Sequence, residues 1–99
     1  MPQFHPVARV TDIAPGQGRP WVVAGREIAV FNLEGEFYAI ENTCPHRGGS
    51  LGHGLLDGEE VICPWHQWRF NVKTGRMQLG GGVEAFRVRV EGQTLWVEV

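Results

Sequence analysis

Cysteine is scarce in this chain, with two residues in 99. Long apolar runs are missing, since the longest extend over only a few residues, so no segment is expected to span a bilayer and no membrane partner is expected. An excess of charge of one sign is missing as well. Nine basic and eleven acidic residues are well mixed and give a net charge of −2. No basic stripe invites nucleic acid and no acidic tail suggests disorder. The opening residues, Met1-Pro2-Gln3-Phe4-His5-Pro6, show neither the charged region nor the apolar stretch of a signal peptide. No internal repeat, linker or low-complexity segment divides the sequence. The expectation is one domain over 1–99 with a modest core, near the size at which a bound group helps to hold the fold.

A helical period with caps is also lacking. Val7–Thr11 and Trp21–Ala24 read as short strands around a Pro15-Gly16-Gln17-Gly18 loop. Glu27–Leu33 and Glu36–Ile40 are rich in β-branched and aromatic residues and break at Glu34-Gly35, which reads as a hairpin. Glu60–Cys63 and Arg69–Val72 form two further segments of the same kind. Phe86, Val88 and Val90 alternate with Arg87 and Arg89, the pattern of a half-buried strand, before Gly92-Gln93 turns into Thr94–Val99. This is an all-β pattern of short antiparallel strands, which argues a small sandwich or barrel. Trp21 and Trp96 fall in these strands and read as core.

Both cysteines and two of the four histidines lie in two short boxes, Cys44-Pro45-His46 and Cys63-Pro64-Trp65-His66, separated by sixteen residues. Each box offers one thiolate and one imidazole, so two loops could close on one metal centre. A mononuclear zinc site would use all four side chains, whereas a two-iron cluster would place the cysteines on one iron and the histidines on the other. Zinc modules usually segregate their ligands as C-x2-C and H-x3-5-H, whereas here each box is mixed. A disulfide between Cys44 and Cys63 is the plainer rival, but it leaves two histidines at ligand spacing unexplained. With both cysteines engaged as ligands none remains for a disulfide, which suits a reducing cytosol and a cytoplasmic location.

Around the boxes the chemistry suits a metal-binding tip. Pro45 and Pro64 stiffen the loops and hold the preceding cysteines extended. Gly48, Gly49, Gly52 and Gly54 permit positive φ and close backbone approach. Leu51, Leu55 and Leu56 are expected to cover the centre. His53 lies outside both boxes and reads as a mobile loop histidine, and His5 as incidental. Trp68 reads as core. Trp65 could pack beside the centre or meet a partner.

The stretch CPHRGGSLGHGLLDGEEVICPWHQWRFNVKTGRM, residues 44–77, resembles the Rieske ferredoxin family in both boxes, their spacer and the trailing aromatic and Gly turn. The resemblance implies a β base carrying a two-loop cluster-binding subdomain at about 42–72. It also implies one [2Fe–2S] cluster per chain, with Cys44, His46, Cys63 and His66 as its metal ligands. High-potential members carry a disulfide between the cluster loops at positions matching Gly49 and Trp65, which cannot form here. They also carry hydroxyls that donate to cluster sulfurs at positions matching Trp68 and Phe70, which have none. The implied potential therefore lies toward the low end of the Rieske range. Family members usually have Gly after the second histidine, and this chain has Gln67, which would be strained at positive φ.

A one-electron cofactor alone performs no substrate chemistry. Rieske oxygenases need a separate iron held by two histidines and a carboxylate, and only His5 and His53 remain for that. The expected role is a soluble carrier passing electrons from a flavin reductase to a terminal oxygenase, with no substrate chemistry of its own. The alternatives are the small Rieske subunit of an assimilatory NAD(P)H-nitrite reductase, partnered by the large subunit, and a non-redox zinc-binding module.

Overall fold

The structure, a computed structural model, describes residues 2–45, 48–64 and 67–99. Its strands are β1 (Phe4–Arg9), β2 (Gly18–Val23), β3 (Arg26–Leu33), β4 (Glu36–Glu41), β5 (Leu55–Asp57), β6 (Glu60–Ile62), β7 (Arg69–Asn71), β8 (Ala85–Phe86), β9 (Val88–Glu91) and β10 (Thr94–Glu98). They form three antiparallel sheets, ordered β1-β10-β9, β2-β3-β4-β8 and β5-β6-β7. Among the described residues there are also two short 3₁₀ turns, Val10–Asp12 and Leu51–His53. Among the described residues no helix is long and apolar enough to cross a membrane.

The β2-β3-β4-β8 sheet is the middle layer, and β3 explains why. Ile28, Ala29, Val30 and Phe31 are all fully buried. Successive side chains of a strand point to opposite faces, so a run buried throughout must be covered on both sides. Ala29 and Phe31, with Ile40 of β4, join one core, which also contains both cysteines and residues of the β5-β6-β7 sheet. Ile28 and Val30 join the other core, with Leu95 and Val97 of β10. The middle sheet thus ties the base of the molecule to the part that carries the cysteines.

Tight turns fix this register. Ala24-Gly25 and Glu34-Gly35 both have positive φ at each position and join strands through two-residue loops, the twist that matches a hairpin. Buried Asn32 donates from Nδ2 to Ile13 O at 2.8 Å and accepts from Gly35 N–H at 2.7 Å. One side chain therefore anchors the loop after β1 to the second hairpin.

The sequence expectations hold for β3, β4, β6, β7 and the C-terminal hairpin, and differ elsewhere. The strand expected from Val7 begins at Phe4, and the one expected from Trp21 begins at Gly18. Both include a proline, which weakens a strand signal yet is tolerated because β1 and β2 are edge strands. Strand β5 was not expected, its three residues being too short to show alternation. Trp21 packs on the second core while half-exposed, and Trp96 lies half-buried between Leu95 and Val97, on the opposite face of β10. Neither is a core residue in full.

Phe31 is the largest fully buried side chain of the middle sheet, and its ring lies over Gly18 of β2, where a Cβ would collide with it. Phe31→Ala is expected to cost about 3–5 kcal/mol, read from denaturant unfolding.

Candidate metal centre

The first ligand loop leaves β4 at Asn42, whose backbone and side chain hold both of its arms. Asn42 O accepts from Leu51 N–H at 2.7 Å, and Asn42 N–H donates to Glu27 O at 3.0 Å. The Asn42 Oδ1 atom accepts from Gly52 N–H at 2.7 Å and from Ser50 Oγ at 3.1 Å. Further out, Thr43 bridges Ser50. Cys44 N–H donates to Gly49 O and Gly48 N–H to Cys44 O, both at 2.8 Å. Gly48 has φ +72, a left-handed turn that a side chain disfavours. Gly52 seats the loop on β2, where a Cβ would lie 2.6 Å from Pro20 N.

The second loop caps the β6-β7 hairpin. Ile62 pairs with Arg69, and Cys63 N–H then donates to Trp68 O at 2.7 Å, closing a loop of four residues. Strand β5 joins the two loops, because it leaves the first and pairs Leu55 with Ile62, the residue before Cys63. Gly54 passes so close to Ile62 O that a Cβ would collide with it.

This scaffold brings both thiols into one apolar cluster. Cys44 is 1 % exposed and Cys63 fully buried, and no disulfide joins them. Leu51, Val61, Phe70 and Val72 pack around them, with Trp68 and Leu56 half-buried at the margin. Leu55, in contrast, is 75 % exposed. The expectation that it covers the centre is corrected, since alternation along β5 turns Leu56 inward and Leu55 outward. Arg69 crosses the outer face of this sheet, 2.8 Å from Asp57 and 3.3 Å from Glu60. The hydrogen bond to Asp57 is the main cause that raises the guanidinium above its ordinary pKa.

His46, Trp65 and His66, expected as two ligands and a neighbour, lie outside the described residues. His53 is not a loose loop histidine. Its Nδ1 is 2.8 Å from Ser50 Oγ. Ser50 Oγ also lies 3.1 Å from Asn42 Oδ1, so His53 joins the group of side chains that hold the first loop. His5 lies in β1, opposite Val97 in the base. Among the described residues no third Cys, His, Asp or Glu joins the two thiols at metal-binding range. Sequence reasoning passed over Asn42; an amide two residues before a ligand box, with Ser50 and Gly52 beyond it, was the available signal.

Two buried thiols on adjacent loops, outside any disulfide and lined by apolar side chains, fit an iron–sulfur centre. The sequence matches the Rieske [2Fe-2S] domain family over residues 3–93. The chain belongs to that family. The cofactor of this Rieske domain is a [2Fe–2S] cluster, and the zinc alternative is set aside. The Rieske chain is 38 % identical, over 80 residues, to the ferredoxin component of a naphthalene 1,2-dioxygenase system from Pseudomonas aeruginosa, covering 78 % of this chain and 77 % of that protein. It is similar to a structure described as a complex of reduced oxygenase and oxidized ferredoxin in carbazole 1,9a-dioxygenase, with TM-score 0.86, 34 % identity and coverage of 95 % and 91 %. The fold is also that of a putative NADH-dependent nitrite reductase small subunit from Mycobacterium tuberculosis, with TM-score 0.92, 19 % identity and coverage of 100 % and 96 %.

Asn42→Ala removes the acceptor of the buried Gly52 N–H and frees one arm of the first loop. It is expected to cost roughly 1–3 kcal/mol in chemical denaturation, with faster proteolysis between Cys44 and Leu51.

Proposed function

We propose that Cys44 and Cys63 hold one iron of the cluster and His46 and His66 the other, and that the chain passes single electrons from a flavin reductase to a terminal oxygenase. The observation that carries this reading is the burial of both cysteines, one from each mixed Cys/His box and neither in a disulfide, in one apolar cluster. Metal binds cysteine as the thiolate, and two cysteines on adjacent loops can share one cationic centre. The remaining ligands then fall to the imidazoles of the same boxes. The unit is read as one domain over 1–99, with about 42–72 binding the cluster, and two cysteines outside any disulfide suit the cytoplasm.

When bound, the cluster supplies a one-electron redox site. The chain's own residues set the conditions around it. Leu51, Val61 and Phe70 are fully buried and exclude water from the thiol side. Trp68 and Phe70 bring apolar surface where a hydroxyl would stabilise added negative charge. Partner choice follows the relatives, which are named as ferredoxin components and, in one structure, as a ferredoxin in complex with its oxygenase. Substrate chemistry then belongs to the partner. The CPWHQWRF segment also suits a nitrite reductase small subunit, but the likeness to that protein, at 19 % identity, is one of fold.

Stopped-flow mixing of the reduced protein with a ring-hydroxylating terminal oxygenase should show electron transfer, and a flavin reductase should sustain turnover through it. Transfer only to a sirohaem nitrite reductase large subunit would overturn the oxygenase reading in favour of the second. Cys44→Ser and Cys63→Ser are each expected to abolish cluster assembly, seen as loss of visible absorbance and bound iron. The midpoint potential of the intact protein should lie in the lower half of the roughly −150 to +300 mV Rieske range, and a value near the top would contradict the assignment made for Trp68 and Phe70.

A further inference from the structure

Among the described residues, three non-glycine residues have positive φ: Ala24, Glu34 and Gln67. Ala24 and Glu34 each open a two-residue hairpin turn, are followed by Gly, and are flanked on both sides by paired strand residues. The hairpin demands that geometry. Gln67, at φ +58, has no glycine beside it. It is the last residue of the second ligand loop, joined covalently to His66 on one side and to Trp68 on the other. The loop is closed by Cys63 N–H donating to Trp68 O at 2.7 Å. A left-handed residue at the end of a short loop is a standard way to return the chain to the strand ladder. Here it delivers Trp68 half-buried against the cluster of apolar side chains that contains Cys63. Gln67 itself is exposed, so packing of its side chain does not explain the conformation.

We infer that Gln67 is a positioning residue for the second ligand box, acting through its left-handed backbone and not through its amide. The inference rests on the assignment of that box to the cluster. A straight-chain L-residue is disfavoured in this conformation, glycine is not, and a β-branched residue is disfavoured most. The backbone strain at this position opposes the closed loop, and the closed loop retains the metal ligands. The identity of residue 67 therefore sets how fast the cluster is lost, while the ligand field stays the same wherever the left-handed turn forms.

The test is the rate of cluster loss to an iron chelator, followed by bleaching of visible absorbance, together with the EPR spectrum of the reduced protein. The variants are Gln67→Gly, Gln67→Asn, Gln67→Ala and Gln67→Val. Gln67→Gly should lose its cluster about three- to tenfold more slowly than wild type, the relief of strain being partly offset by the greater freedom of glycine in the open loop. Gln67→Asn should be equal to wild type or slower, because Asn tolerates the left-handed region. Gln67→Ala keeps the backbone strain and lacks the amide, so it should stay within about twofold of wild type. Gln67→Val should lose the cluster at least about tenfold faster, or fail to assemble it. The Gly, Asn and Ala variants should share the wild-type EPR line shape, and a Val variant that assembles should show a broadened or shifted one. A Gly variant that loses its cluster as fast as wild type overturns the inference. So does an Ala variant that behaves like Val, since the amide would then be what holds the loop. Absence of a cluster from wild-type protein would instead reject the ligand assignment itself.

Discussion

Cys44 and Cys63 can serve one centre only because each is fixed by backbone hydrogen bonds at the root of its loop. Cys44 both donates and accepts within its own loop, and Cys63 closes onto Trp68. Loops held this way lose little further entropy when they meet a metal, which is the practical meaning of preorganisation. Asn42 stands behind the first loop and the β6-β7 ladder behind the second. Strand β5 joins the two, so displacement of one loop is felt by the other.

Burial sharpens this constraint. Leu51, Val61, Phe70 and Val72 enclose both thiols and keep bulk water from them. Metal binds cysteine as the thiolate, so loading the site releases the thiol protons. Metal binding and folding are then linked, as in other small metalloproteins. The middle sheet extends the linkage to the base, since Phe31 and Ala29 face the cysteines while Ile28 and Val30 face β10.

Much of this was legible in the residues. The mixed boxes pointed to the family, and the unbroken apolar run of β3 with its Glu34-Gly35 turn pointed to the central hairpin. Gln67 was flagged for positive φ and has it. Other features were hidden for physical reasons. Pro6 and Pro20 masked the starts of β1 and β2 because propensity does not distinguish edge strands from central ones. Strand β5 is three residues long, and Leu55 looked like core because a lone leucine carries no direction without its register. The role of Asn42 depends on tertiary geometry, as it holds a loop that returns eight to ten residues later. The half-burial of Trp96 follows from its position between two inward residues of β10, which only the pairing reveals.

The most direct measurement is pulsed EPR of the reduced protein with its histidines labelled in nitrogen-15. Two histidine nitrogens strongly coupled to the reduced centre, in protein that contains two irons and two labile sulfides per chain, is the result expected here. A centre with no coupled histidine nitrogen, or colourless protein carrying a single zinc ion, would contradict the claim that two thiolates and two imidazoles divide a pair of irons between them.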